Sequence, residues 1–150
     1  MSDTIRTART SAVTVTVRTA DTVRERIATA LTILVALGIS YVGISYLFAP
    51  EATASGFGMP EWPHGEAAEF LGTKGIRDIA SGLAPLTLLV TGHRRALGRL
   101  LLVEALIPLG DCLTVLGHHG STAAALGIHG ATAVVVAVAG ALLLTERRTA

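Results

Sequence analysis

Acids and bases stand where this sequence is otherwise apolar. Lys74, Arg77, Asp78 and Ser81 fall inside one hydrophobic stretch, Glu104 and Asp111 inside the next, and His129 inside the last. A charged side chain at the centre of a bilayer costs on the order of 2.5–3.5 kcal/mol on insertion scales, so such a set persists only with compensation or for chemistry. Spacing groups these residues. Lys74, Arg77, Asp78 and Ser81 follow the i, i+3, i+4, i+7 pattern of one helical face, as do Glu104, Pro108 and Asp111. Two polar faces can then oppose each other. In that arrangement Asp111 or Glu104 serves as acid or base, while Arg77 and Lys74 hold an anionic or carbonyl group. Asp78, His129, Tyr41 and Trp62 complete the candidate binding set.

Depth refines the grouping. Lys74, Asp111 and His129 each lie six or seven residues from a helix end, about 10 Å at helical rise, so they share a layer in which Lys74 can compensate Asp111. Glu104 lies deeper, with no cation at its level. The two cations Lys74 and Arg77 face three carboxylates, so one acid is unpaired unless it or His129 carries a proton. Pro108 has no N–H to close onto the Glu104 carbonyl, which leaves a bare acceptor between the two acids. The bland alternative is a salt-bridge network that fixes helix pairing, with His129 a hydrogen-bonded core residue. Cys112 has no cysteine partner, and no phosphate-binding glycine loop or nucleophile elbow is present. No cofactor and no metal are therefore expected.

These residues need elements to position them. The chain is 51% hydrophobic and 15% charged, more apolar than the interior of 150 residues can bury in water. A hydrocarbon core of about 30 Å needs about 20 apolar residues per crossing, and four stretches approach that: 27–49, 68–91, 96–117 and 122–144. The second is interrupted by Lys74, Arg77 and Asp78, so only its latter half scores as hydrophobic. Short linkers make the helices antiparallel neighbours, and the expected fold is all-α, an integral membrane four-helix up-down bundle.

Basic residues orient it. Arg6, Arg9, Arg18, Arg24 and Arg26 precede the first helix, Arg94, Arg95 and Arg99 sit at the second junction, and Arg147 and Arg148 follow the last. Residues 50–67 contain no lysine or arginine. The positive-inside rule therefore gives an N-in/C-in, multi-pass protein of the plasma membrane. Residues 1–26, rich in Thr, Ser and Arg, read as a disordered cytoplasmic tail, 27–144 as the membrane domain and 145–150 as a second tail. A cleaved signal peptide ending near Ala52-Thr53-Ala54 is the competing reading, disfavoured by an overlong apolar region. The outer segment from Ser55 to Pro63, with aromatic residues clustered around it, lies along the interface as a belt or covers a cavity as a lid.

The runs Gly72-Thr73-Lys74-Gly75-Ile76-Arg77-Asp78-Ile79-Ala80-Ser81-Gly82, Leu106-Ile107-Pro108-Leu109-Gly110-Asp111 and Gly127-Ile128-His129-Gly130-Ala131 resemble the signature stretches of an uncharacterised family of small four-helix bacterial membrane proteins, of the DUF4267 type. The resemblance implies fold and membrane location and brings no reaction with it. Two functions of different class follow from the residues. One is a binding or acid–base site for a lipophilic small molecule, open to the outer leaflet. The other is a structural or accessory subunit, or a proton-linked transport element built by homo-oligomers. The lipid bilayer is the expected partner in both, and nucleic acid in neither.

Overall fold

The computed structural model of the chain describes residues 2–146, with side chains from Val23 onward. Arg147 and Arg148, and the side chains of Arg6, Arg9 and Arg18, lie outside the described residues. All regular structure among those residues is helical: α1 (Ser2–Phe48), α2 (Pro50–Ser55), α3 (Glu66–Glu69), α4 (Leu71–Val90), α5 (Arg94–Glu104), α6 (Leu106–Gly117), α7 (Thr122–Ala124), a π-turn (Ala125–Gly130) and α8 (Ala131–Leu144). The first helix thus begins well before the apolar run that opens at Ile27.

Local chemistry accounts for the breaks. Pro50 forces the preceding residue out of helical geometry, and Ala49 stands at φ −146°, ψ 62°, so α1 stops and α2 restarts with proline in its first turn. The two tight turns share one design. After α4, Gly92 adopts φ +76°, and the N–H groups of Gly92 and His93 return to the carbonyls of Leu89 and Leu88. After α6, His119 takes the same left-handed position at φ +57°, and His119 and Gly120 return to Leu116 and Val115. Both are Schellman motifs, which let helices reverse within a few residues. Pro85 is buried and leaves α4 continuous, whereas Pro108 coincides with a break at Ala105 that divides α5 from α6.

Three helical lengths are long and apolar enough to cross a membrane: Val23–Phe48, Arg94–Gly117 and Thr122–Leu144, with mean hydropathies of 2.2, 1.9 and 2.0. Their outward faces carry Leu34, Val103 and Val134, each more than 60% exposed, an apolar belt that lipid can cover and water cannot. Charged residues keep α4 from the same standard, although its twenty residues match the others in length.

Close packing concentrates in two seams. α1 lies on α4 with Gly43 and Gly75 in register, where a Cβ on either would come within 2.6 or 2.7 Å of the other's carbonyl oxygen. α5 lies on α8 through Gly98 and Gly140 in the same manner, at 3.0 and 2.9 Å. Small residues permit this approach, and without a hydrophobic driving force between helices in lipid it is contact area that holds them. Gly127 plays no such part, since a Cβ there meets nothing within 4 Å.

The core follows the seams. Leu97, Leu101, Ala105, Val136, Ala139 and Leu143 form a packed cluster with Ala28 towards the Arg94 end. A smaller cluster of Cys112, Val115 and Ala125, covered by Phe57 and Met59, closes the opposite, loop end. At the Arg94 end a polar clamp ties three segments: Arg94 donates through Nε and Nη2 to both Glu146 carboxylate oxygens at 2.6 Å, to Thr29 Oγ1 at 3.1 and 3.2 Å, and to the Glu25 carbonyl at 3.3 Å.

Candidate functional site

Between the two packed clusters the molecule is hollow. A cavity of about 680 Å³ lies between α1, α4, α6 and the segment from the π-turn into α8. Leu34, Val35, Ile39, Val42, Ile107, Val135 and Val136 make most of its wall apolar, and Lys74, Asp78, Ser81, Glu104, Asp111, His129 and Thr132 interrupt it. Leu34 and Tyr41 on one side and Ile107 and Ile128 on the other line the cavity while remaining 45–72% exposed. The hollow is therefore open sideways, between α1 and the α6 side.

Helical register places the polar residues. Lys74, Asp78 and Ser81 recur at i, i+4, i+7 along α4 and point inward together. Lys74 Nζ donates to Asp78 Oδ2 at 2.6 Å, and lies 4.7 Å from the Tyr46 ring centre and 5.7 Å from that of Phe57. Aromatic faces attract a cation at such distances, so the ammonium is held by one carboxylate and two rings. The direct hydrogen bond of Lys74 is thus to a carboxylate one turn away on its own helix, reached without any interhelical constraint, while the expected partner Asp111 lies within electrostatic range of the same ammonium. Arg77, at the edge of this stripe, is exposed and does not line the cavity. At i+3 from Lys74 the helix has already turned far enough to carry its long side chain outward.

Asp111 and His129 meet from two elements. His129 Nδ1 lies 3.9 Å from Asp111 Oδ2, and its Nε2 lies 2.8 Å from the Phe57 carbonyl oxygen, with Nε2 as donor. The Phe57 ring stacks on the imidazole at 4.5 Å between centres. His129 occupies the π-turn, whose widened geometry is rare, occurs mostly as single turns inside α-helices and is frequent at functional sites. Glu104 lines the cavity nearer the Arg94 end and, among the described residues, makes no ion pair or side-chain hydrogen bond.

The loop covers the loop end rather than lying flat. Gly58 at φ +99° turns the chain so that its carbonyl accepts from Ser121 N at 2.8 Å, which locks the segment against the second turn and drives Phe57 inward. Trp62 stays outside the cavity and stacks on His64 at 5.5 Å. Glu51 fastens the loop's other side, accepting from Gly65 N at 2.9 Å and lying 3.1 Å from His64 Nδ1. Of the candidate residues, Lys74, Asp78, Glu104, Asp111, His129 and Tyr41 are brought around one space, and Arg77 and Trp62 are not. Tyr46 and Phe57 join them unannounced. Tyr46 falls five residues after Tyr41, and Phe57 sits between two glycines, a pattern as common in plain turns.

Apolar helices around a buried polar cluster define an all-helical membrane protein. Residues 36–143 match the family described as Domain of unknown function (DUF4267), and the chain belongs to it. No curated protein and no solved structure matches the chain.

Proposed function

We propose that this protein is a multi-pass binding protein of the plasma membrane that holds a lipophilic small molecule in the cavity between its helices. The observation that carries the reading is the cavity itself. Its volume falls in the range of about 300–1,000 Å³ usual for small-molecule sites, and it joins a mainly apolar wall to a few polar groups from separate elements. Its sideways opening faces the apolar belt, so a ligand dissolved in lipid can reach it without crossing water. Asp111 and His129 are placed to exchange a proton with a polar group of that ligand, directly or through water. Protein extracted in mild detergent should carry a lipophilic molecule identifiable by mass spectrometry. Replacing Gly38, which lines the cavity and has open space before it, with tryptophan should displace that molecule. An extract with the same composition from parent and variant would remove the reading.

In the membrane we read α4 as the remaining crossing, completing a four-helix bundle with both ends in the cytoplasm, residues 1–26 and 145–150 as cytoplasmic tails, and the loop end outside. Its length and its glycine seam with α1 support this, as does the basic cluster of Arg94, Arg95 and Arg99 at the other end. In a Cys112→Ser background, a cysteine at Ser55 should react with an impermeant thiol reagent on intact cells, whereas one at Arg95 should not. Labelling at 95 from outside would reverse the orientation. The outward position of Arg77 favours a second reading, that this face of α4 meets another subunit in an accessory or transport assembly.

A further inference from the structure

The ionisable lining of the cavity is unbalanced in one direction. Lys74 is neutralised within its own helix by Asp78, and Arg77 faces away. His129 engages the Phe57 carbonyl and shares Asp111 at 3.9 Å. Glu104 alone has no ionic partner among the described residues, and it sits at the α5–α6 break. There Pro108 has no N–H for the Glu104 carbonyl, and the N–H of Leu109 goes to Ala105 at 3.2 Å instead. This stretch of wall therefore offers the Glu104 carboxyl group, an acceptor with no side-chain donor among the described residues. A half-buried carboxyl on an apolar wall accepts but, when ionised, cannot donate, so an occupant that supplies N–H groups is favoured over one that supplies further acceptors.

We propose that the cavity takes a lipophilic amine, whose ammonium group donates to Glu104 at the helix break while its apolar body lies between α1 and α8. This rests on the cavity being a ligand site and reverses the sign of ligand that Arg77 and Lys74 would have selected. Asp111 lies seven residues from Glu104, about 10 Å along the helix, so the two acids mark separate ends of the space. The Glu104 end is the one without a lysine. A charge-assisted hydrogen bond from an ammonium to a carboxylate is the strong form of the contact, and the surrounding apolar wall strengthens it further.

Phenylbutylamine, phenylbutanol and phenylbutyrate share one apolar body and differ in the polar end. Their binding to the full chain in neutral-lipid nanodiscs, measured by equilibrium dialysis against empty nanodiscs, tests the inference. The amine should bind about tenfold more tightly than the alcohol, with the carboxylate weakest. Glu104→Gln should bring the amine to the level of the alcohol and leave the alcohol unchanged. Equal binding of amine and alcohol, or preference for the carboxylate, would overturn the amine while leaving the cavity reading intact. Binding of none of the three would overturn both. The comparison of probes on the parent chain decides the matter even if the variant does not fold.

Discussion

The two ends of this molecule solve the problem of polar groups in an apolar setting differently. At the Arg94 end the clamp crosses between segments distant in sequence: one guanidinium joins α1, α5 and Glu146 just beyond α8, and each of its nitrogens has a protein acceptor within 3.3 Å. Around the cavity the shortest ion pair, Lys74 to Asp78, stays within one helix, the Asp111–His129 contact is long, and Glu104 has no ionic partner among the described residues. A network closed upon itself fixes geometry. One that is closed locally and left open towards a hollow does little to hold helices together, and it keeps its capacity for something other than the chain.

Double-mutant cycles on thermal unfolding in detergent would break this comparison most directly. Arg94 and Glu146, the latter 9% exposed, should show a coupling of about 2–3 kcal/mol, because removing either leaves a part-buried charge. Lys74 and Asp78 should couple by about 1 kcal/mol, and Lys74 and Asp111 by less than that. A larger coupling for Lys74 and Asp111 than for Lys74 and Asp78 would restore the pairing expected from depth. A coupling near zero for Arg94 and Glu146 would dissolve the distinction between the ends.

The sequence shows the contrast unevenly. Hydropathy and spacing made the apolar helices, the inward faces of α4 and α6, and the interruption at Pro108 legible, since each depends on residues close in the chain. Register at i, i+3, i+4, i+7 joined Lys74, Arg77, Asp78 and Ser81 on one face, and the cavity takes three of them but not Arg77, because which edge of the stripe turns outward is a matter of where α1 packs. The Arg94 clamp was hidden for the same reason: its partners lie 52 to 69 residues away. The seams use Gly43, Gly75, Gly98 and Gly140 and leave Gly127 in open space, a choice that composition does not reveal because only tertiary contact distinguishes one small residue from another. The π-turn at His129 has no local signature in Ala125–Gly130 that differs from an ordinary helix.

A third polar contact, Glu51 with His64 and Gly65, is smaller than either and sharpens the comparison from the water side. It is closed, like the Arg94 clamp, but fully in solvent, so its contribution should be modest and open to titration. The hydrogen bond from His64, and then that from the Gly65 N–H, hold the Glu51 carboxyl below its ordinary value of 4.5. A carboxyl lowered in the folded state stabilises the clasp at every pH above its unfolded value, and that stabilisation is lost as pH falls through the lower, folded value. The Gly65 amide proton, followed by NMR in detergent, should therefore show a titration inflection whose midpoint lies below 4.5. Glu51→Gln should abolish that change. An inflection at or above 4.5 would mean that the clasp does not hold the carboxylate, and that the loop is kept over the cavity by Phe57 on His129 and by Gly58 on Ser121 alone.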